Sequence, residues 1–223
     1  MNMNKSYSQK YNDVEKLPPL EIERRSFEII GEELKRRGIV LPKEREAVIK
    51  RVIHASADFD YADTLYFSEN AVETARKLLL GGADIITDTN MALAGIHKKS
   101  LEKLGGSVRC FMADEEVAAI AKETGRTRAS VSMEKAAQSK KDLIFVIGNA
   151  PTALITLYEM MQEDIYRPAF VIGVPVGFVN VEVSKELIKE TDVPCIINRG
   201  RKGGSNIAAA ICNALLYSVT DRD

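Results

Sequence analysis

Six short apolar segments, separated by longer amphipathic ones, constrain the fold of this chain most strongly. The apolar segments read TLYFS, ADIITD, SVRCFM, DLIFVIG, PAFVIGV and PCIINR. Strands that are apolar along their whole length are buried on both faces, so helices must cover both sides of the sheet. The alternation therefore predicts an α/β fold, a three-layer α/β/α sandwich with a mainly parallel sheet.

The amphipathic segments predict where the helices begin and end. LEIERRSFEIIGEELKRRG has helical spacing and ends at Gly38, and a second helix from about Lys43 carries His54 in its last turn. Ser68 is a plausible N-cap for the next helix, and Pro151 suits the first position of a later one. No linker divides the pattern, so we expect a single domain over residues 1–223, with residues 1–17 as a flexible tail.

Charge and composition exclude several classes of partner. The net charge is −1, which provides no overall field for nucleic acid or an anionic membrane. No apolar run approaches the roughly 20 residues of a membrane span. The three cysteines, Cys110, Cys195 and Cys212, have no metal-ligand spacing and suit buried thiols in a reducing compartment. We therefore expect a cytoplasmic protein without a nucleic-acid or membrane partner.

Four segments follow predicted strands and contain small or glycine residues, at 87–95, 148–154, 173–180 and 198–206. In open parallel sheets ligands bind beyond the carboxyl ends of the strands. Loops of this kind bring backbone N–H groups close to a ligand, and helix N-termini favour anions. We therefore expect these four loops to gather at one sheet edge and to form the site.

The segment RGRKGGSN combines Arg199, Arg201 and Lys202 with Gly203 and Gly204 just before a helix. Its chemistry suits a cradle for a carboxylate or phosphate, although an ordinary glycine turn with solvated arginines explains it equally well. No Walker loop and no G-x-G-x-x-G after a strand is present, so the nucleotide fingerprints are absent.

Two further segments also leave alternatives open. GRTRAS places Arg126 and Arg128 at a helix start, as surface residues or as a second anion contact. GNAPTAL is either a ligand loop or simple turn chemistry, with Asn149 supplying a special backbone angle and Thr152 facing solvent.

The two histidines, His54 and His97, lie too far from cysteine or from each other in sequence to indicate a metal site. A histidine on a helix is more often structural than catalytic. However, the C-terminal end of a helix favours imidazolium, so His54 also suits a proton donor near neutral pH.

Several motifs together resemble one enzyme family. ERRSFEII, RVIHASAD, TDTNMALAGI, GRTRAS, GNAPTAL, GVPVGFVNVEVSK and RGRKGGSNIAAA are similar, in this order, to the precorrin-8X (cobalt-precorrin-8) methylmutases from about residue 20 onward. The resemblance implies a flavodoxin-like fold and migration of a methyl group from C11 to C12 of a corrin precursor. The product is hydrogenobyrinate or its cobalt form, and no cofactor takes part.

The resemblance also implies roles for individual residues. His54 matches the proposed proton donor, and Ser26 and Arg51 lie near the substrate. A tetrapyrrole substrate with many carboxylates needs several separate contacts around its edge. The remaining predicted substrate-binding residues are Thr89, Arg128, Asn149, Thr152, Arg199, Arg201, Gly203, Gly204 and Ser205. A homodimer with the site near the subunit interface, and hand-over of the product to neighbouring pathway enzymes, are also expected.

Two other functions compete with the methylmutase. A corrinoid carrier would retain the product and pass it on without chemistry, and it would not need His54. An unrelated α/β protein could bind nucleotide phosphate at RGRKGGS, although the missing fingerprints count against this function.

Overall fold

The computed structural model describes residue 11 and residues 14–220. The strands are β1 (Leu65–Phe67), β2 (Asp84–Thr87), β3 (Val108–Arg109), β4 (Leu143–Ile147), β5 (Phe170–Gly173) and β6 (Cys195–Asn198). The helices are α1 (Pro19–Arg36), α2 (Glu46–Ser56), α3 (Tyr61–Thr64), α4 (Ala71–Leu80), α5 (Asn90–Gly95), α6 (Lys98–Lys103), α7 (Glu115–Thr124), α8 (Arg128–Ala137), α9 (Pro151–Gln162), α10 (Val181–Lys189) and α11 (Ser205–Tyr217). The tail predicted at residues 1–17 lies mostly outside the described residues.

The six strands form one sheet in the order β1-β6-β5-β4-β2-β3. Strands β2 to β6 are parallel, and only the edge strand β1 is antiparallel to its neighbour, with Leu65 opposite Asn198. The chain runs from β2 to β3 in one direction across the sheet, and from β4 through β5 to β6 in the other. This reversal between β2 and β4 is typical of flavodoxin-like folds, and ligands bind in the crevice beside it.

Each central strand sends side chains into two separate cores. In β4, Ile144 and Val146 pack into a core with α2, α4 and α11, while Phe145 and Ile147 pack into another with α8, α9 and α10. Burial on both faces explains the continuously apolar strands in the sequence. The predicted three-layer α/β/α sandwich with a mainly parallel sheet is confirmed.

The predicted helix boundaries are confirmed with one exception. Gly38 follows α1 with a φ of 70°, and Pro151 begins α9. The prediction that Ser68 caps α4 is wrong, because the helix begins after Asn70. The Ser68 hydroxyl instead accepts a hydrogen bond from the Cys195 N–H at 2.9 Å, which joins the end of β1 to the start of β6.

Strands β2, β4, β5 and β6 are adjacent and parallel, so the four loops that follow them meet at one edge of the sheet. Hydrogen bonds join these loops directly. Ser205 lies 2.8 Å from Thr89 through their hydroxyl oxygens, and the Gly204 N–H donates to the Val174 carbonyl at 2.9 Å. The predicted gathering of the four loops is confirmed. None of the helices among the described residues is long and apolar enough to span a membrane.

Candidate functional site

Asp88 lies in the crevice where the strand order reverses, directly after β2. It is fully buried, and its carboxylate accepts hydrogen bonds from the N–H groups of Gly148, Asn149 and Ala150, at 2.9, 2.7 and 2.6 Å. Burial raises the pKa of Asp88, while the three N–H donors oppose that rise. The carboxylate therefore fixes the loop at the start of α9.

Asp88 is not among the site residues predicted from the sequence, although its position after a buried strand is a usable signal. The structure also corrects one reading of GNAPTAL. Asn149 does not supply a special backbone angle, because it is not among the described residues with positive φ. Its N–H is bound to Asp88 and its side chain is exposed, so the side chain is available to a ligand.

Thr89 and Ser205 connect the loop after β2 to the start of α11. The Thr89 hydroxyl accepts from the Ala92 N–H at 3.0 Å and caps α5, and it contacts the Ser205 hydroxyl. A Cβ on Gly148 would lie 2.7 Å from the Ser205 Cα, so the backbones approach closely only because residue 148 is glycine. Both predicted substrate-binding hydroxyls therefore belong to one rigid junction.

Thr152 connects the loop after β4 to α8. Its hydroxyl oxygen lies 2.9 Å from that of Thr127, which also caps α8 by accepting from the Ser130 N–H. Thr152 is therefore bonded and does not simply face solvent. Arg128, the next residue after Thr127, is exposed on the first turn of α8. The structure thus places Arg128 beside this loop.

Gly203 and Gly204 shape the loop after β6, which we call the arginine loop (residues 199–204). Their φ angles are 158° and 131°, and a Cβ on Gly203 would lie 2.0 Å from the Val174 carbonyl oxygen. No other residue type fits there without movement of the backbone. The glycines therefore let the arginine loop pack against the end of β5.

Arg199 and Arg201 present their guanidinium groups on the outer face of the arginine loop. Arg199 lies over the Tyr66 ring, 5.7 Å from its centroid, and within the described chain no carboxylate pairs with it. Arg201 lies 5.6 Å from the Phe178 centroid, and its Nε is 3.2 Å from a Glu182 oxygen. Both residues are exposed, as anion binding requires.

Lys202, the third cation of the arginine loop, is bound by two carboxylates. Its Nζ donates to Asp58 and Asp60, each at 2.6 Å. These bonds raise the pKa of Lys202, and the bond from Lys202 lowers the pKa of Asp58. The charge of Lys202 is therefore paired within the fold, unlike that of Arg199. Lys202 joins the arginine loop to the segment that follows α2.

His54 lies in the last turn of α2, as predicted, and its side chain is exposed. Its ring stacks on Phe27 of α1 with a centroid distance of 5.3 Å and an interplanar angle of 15°. Asp58, the partner of Lys202, follows four residues later. The imidazole is therefore held on one face and solvent-accessible, close in sequence to an anchor of the arginine loop.

Arg51 and Ser26 lie near the same junction between α1 and α2. The Arg51 guanidinium is 4.7 Å from the Phe27 centroid, and its Nη1 is 2.6 Å from a Glu23 oxygen. The Ser26 hydroxyl donates to the Ile22 carbonyl at 2.8 Å within α1. Arg51 and His54 therefore both contact the Phe27 ring of α1, and Ser26 is the residue before Phe27 in the same helix.

The remaining reactive side chains offer little chemistry. Burial raises the pKa of Cys195 to about 11 and that of Cys212 to about 12, so neither forms a nucleophilic thiolate near neutral pH. In the part of the chain that the structure describes, no group of three or more His, Cys, Asp or Glu residues is arranged to hold a metal ion. His97 donates to or accepts from the Ser100 hydroxyl at 2.8 Å.

Comparison with known proteins gives one consistent family. The family model described as precorrin-8X methylmutase matches residues 21–218. The cobalt-precorrin-8 methylmutase of Salmonella typhimurium is 42% identical over 210 residues, covering 91% of this chain and 97% of that protein. The precorrin-8X methylmutase of Pseudomonas aeruginosa is 40% identical over 196 residues, covering 87% and 93%.

A solved structure agrees with these matches. The crystal structure of a precorrin-8X methylmutase from Thermus thermophilus superposes with a TM-score of 0.80 at 37% identity, covering 89% of this chain and 96% of that one. The motif resemblance is thereby confirmed by sequence and by fold. The chain belongs to the precorrin-8X methylmutase family.

Proposed function

We propose that this chain is an isomerase that moves a methyl group from C11 to C12 of precorrin-8X or cobalt-precorrin-8, giving hydrogenobyrinate or cobyrinate. One observation carries the proposal at the site. An exposed histidine at a helix C-terminus lies four residues before Asp58, which binds the loop that carries Arg199 and Arg201. Such an arrangement supplies a proton donor and a polyanion-binding surface on one framework.

The chemistry assigned to His54 is proton transfer. The imidazolium form of His54 protonates a ring nitrogen next to the migrating centre. Protonation lowers the electron density in the ring that opposes the 1,5-shift. The bond between the methyl group and C11 then breaks while the bond to C12 forms within the same molecule. The proton then returns to His54, so the reaction is balanced without a redox partner.

In this proposal, the loops supply most of the contacts that bind the substrate. Arg199, Arg201 and Arg128 are exposed cations on separate elements, which suits carboxylates spread around a macrocycle. Asn149 and Thr152 lie on the loop that Asp88 fixes, and Thr89 and Ser205 lie at the junction beside it. A rigid set of contacts keeps the entropic cost of ordering the site low when substrate binds.

We also propose that the chain forms a homodimer that completes this site. The support is apolar surface at the carboxyl edge of the sheet, where Phe178, Val179 and Met91 are 83%, 79% and 72% exposed. Exposed apolar side chains of this size are typical of an interface. Light scattering of the purified protein should give a mass near twice 24.7 kDa. A mass of one chain at micromolar concentration contradicts the dimer.

Three further features are proposed from the sequence and remain to be measured. Residues 1–223 act as a single domain, supported by the one sheet among the described residues. The protein works in the cytoplasm, supported by three cysteines without disulfide bonds. The product is handed to neighbouring enzymes of the pathway, which mixing experiments with a downstream enzyme would detect as transfer without release.

Turnover separates the enzyme from the carrier. Purified protein is mixed with a twentyfold excess of precorrin-8X, or of its cobalt form, and the product chromophore is followed by absorbance. The methylmutase converts the whole excess, whereas a carrier stops at or below one equivalent per site. No spectral change with either substrate contradicts the proposed function.

A further inference from the structure

Four carbonyl groups of the arginine loop, those of residues 199–202, accept hydrogen bonds. The Arg199 carbonyl accepts from the Asn198 side-chain amide at 3.1 Å, and the Arg201 carbonyl accepts from the Gly177 N–H at 3.3 Å. The Lys202 carbonyl also accepts from Asn198, at 2.8 Å. Among the described residues, none accepts a hydrogen bond from the N–H groups of residues 200–203. In a trans peptide the N–H points opposite to the carbonyl, so the N–H groups of residues 200–203 point away from the partners of the carbonyls of residues 199–202.

A buried lysine also donates hydrogen bonds to two carbonyl groups of the arginine loop. Lys185 of α10 has no exposed surface, and its Nζ donates to the Gly200 carbonyl at 2.6 Å and to the Lys202 carbonyl at 3.0 Å. A lysine without exposed surface is rare, because burial of an ammonium group is costly. Burial lowers the pKa of Lys185 to about 8, partly opposed by Glu182, so the amine is mostly protonated at neutral pH.

We propose that Lys185 is a positioning residue for carboxylate binding, holding the Gly200 and Lys202 carbonyls inward so that the N–H groups of Arg201 and Gly203, which belong to the same peptide units, face the substrate. The inference rests on the proposed function, because it assigns a polycarboxylate to that loop. Without the Lys185 ammonium, the Gly200 carbonyl loses the one donor that the described residues give it, while the Lys202 carbonyl keeps the Asn198 amide. The Gly200 carbonyl then rotates toward water, where its negative end repels a carboxylate. Lys185 does not touch the substrate and acts through the loop.

The test compares three variants of the intact protein. Lys185→Met removes both the charge and the donors at similar length. Lys185→Gln keeps a neutral donor that can reach a carbonyl, and thus serves as the conservative rescue. Lys189→Met is the matched control, since it removes a lysine one turn later on α10 that pairs with Glu186. Each protein is titrated with hydrogenobyrinate by absorbance, and KM and kcat are measured separately.

Lys185→Met is expected to weaken hydrogenobyrinate binding and raise KM by about tenfold, the loss typical of one charge-assisted contact, with kcat within about twofold. Lys185→Gln should recover part of that loss, and Lys189→Met should bind like the wild type. Wild-type affinity in Lys185→Met, or an equal loss of affinity in Lys189→Met, overturns this inference and leaves the proposed function standing. Failure of both Lys185 variants to fold, seen by circular dichroism, also overturns it by assigning Lys185 to fold stability. Failure of the wild type to bind hydrogenobyrinate overturns the proposed function as well.

Discussion

Asp88 provides the three hydrogen bonds that hold the start of α9 in place. A buried carboxylate is costly to desolvate, so its presence in the crevice needs compensation from good donors. The three N–H groups provide that compensation, and they in turn have Asp88 as their acceptor. Loss of the side chain therefore affects the loop more than a surface substitution would.

Asp88→Ala should lower the free energy of unfolding by about 2–3 kcal/mol, because buried N–H groups are left unpaired. It should also reduce turnover, since Asn149 and Thr152 lie on the released loop. Urea unfolding measures the first effect and the spectral assay the second. Asp142→Ala, an exposed aspartate just before β4, is the control. Equal stability of the two variants contradicts this role.

The arginines differ in their surroundings. Arg199→Ala and Arg201→Ala should weaken binding of hydrogenobyrinate by about 1.5–3 kcal/mol each, the usual value of a charge-assisted hydrogen bond. The loss of binding free energy for Arg201→Ala should lie at the lower end of this range, because the Arg201 guanidinium also pairs with the Glu182 carboxylate. Absorbance titration gives the affinities, and Arg167→Ala, which breaks an exposed pair with Asp192, is the control. Unchanged affinity in both arginine variants removes the loop from the binding site.

The sequence identifies the cationic loop but does not show which group each cationic side chain contacts. RGRKGGSN contains three cations in one pattern, and only the structure separates two outward arginines from Lys202, whose charge is bound by Asp58 and Asp60. Those aspartates lie more than 140 residues earlier in the chain, and no local periodicity reports such a contact. The role of Lys185 was missed for the same reason, because its partners are backbone carbonyls that only the folded loop brings to it.

At the scale of elements, the arginine loop is fixed by its glycines. Gly203→Ala would place a Cβ 2.0 Å from the Val174 carbonyl oxygen, so the loop must move away from β5. We expect a loss of at least about 1–3 kcal/mol in unfolding free energy and a clear loss of product affinity. Gly200→Ala is a matched control in the same loop, because its positive φ is strained but no atom lies within 4 Å.

Chemical denaturation and product titration compare the two glycine variants. Gly200→Ala should cost only about 1 kcal/mol, the price of a left-handed alanine, and should retain most of the affinity. If both variants lose the same stability, close packing of Gly203 against β5 does not determine the loop.

The ion pair between Lys202 and Asp58, which we call the bridge, connects the arginine loop to the segment after α2. Its contribution to stability depends on pH. Because Lys202 lowers the pKa of Asp58 in the folded protein, the bridge stabilises the fold above the unfolded pKa of about 3.9. That contribution is lost as the pH falls through the lower folded value. The difference in unfolding free energy between wild type and Asp58→Asn should therefore be constant from pH 5 to 7 and shrink toward pH 3.

Urea titrations at pH 7, 5 and 3 measure this difference. Asp63→Asn, an exposed aspartate on α3 that forms no ion pair with the described residues, serves as the control. A difference that is unchanged at pH 3 contradicts the bridge. A loss of turnover in Asp58→Asn at pH 7 would further indicate that the bridge aligns His54 with the arginine loop.

At the scale of the whole molecule, the sequence predicted the architecture well because that architecture follows from local patterns. Apolar strands such as LIFVI and FVIG have both faces buried, and their order and spacing impose a parallel sheet. The sequence does not show that β1 is antiparallel, because the apolar pattern of a three-residue strand is the same for both strand directions. The predicted site combined four loops at one edge of the sheet with Ser26, Arg51 and His54, and the distance between these two groups depends on tertiary packing.

The proposed chemistry depends on His54 more than on any other residue. His54 is exposed and stacks only its face on Phe27, so replacement by alanine should leave the fold intact at a cost below roughly 3 kcal/mol. Product affinity should be largely retained, since the predicted carboxylate contacts lie on other elements. His97→Ala, which removes the other histidine of the chain, is the matched control.

The decisive measurement is single-turnover conversion of precorrin-8X by saturating His54→Ala, followed through the appearance of the product chromophore, with circular dichroism to verify folding. The rate should fall by about 10²–10⁴, the usual value of positioned acid catalysis, while His97→Ala stays close to wild type. A folded His54→Ala protein that converts bound substrate at the wild-type rate would contradict the assignment of His54 as the proton donor.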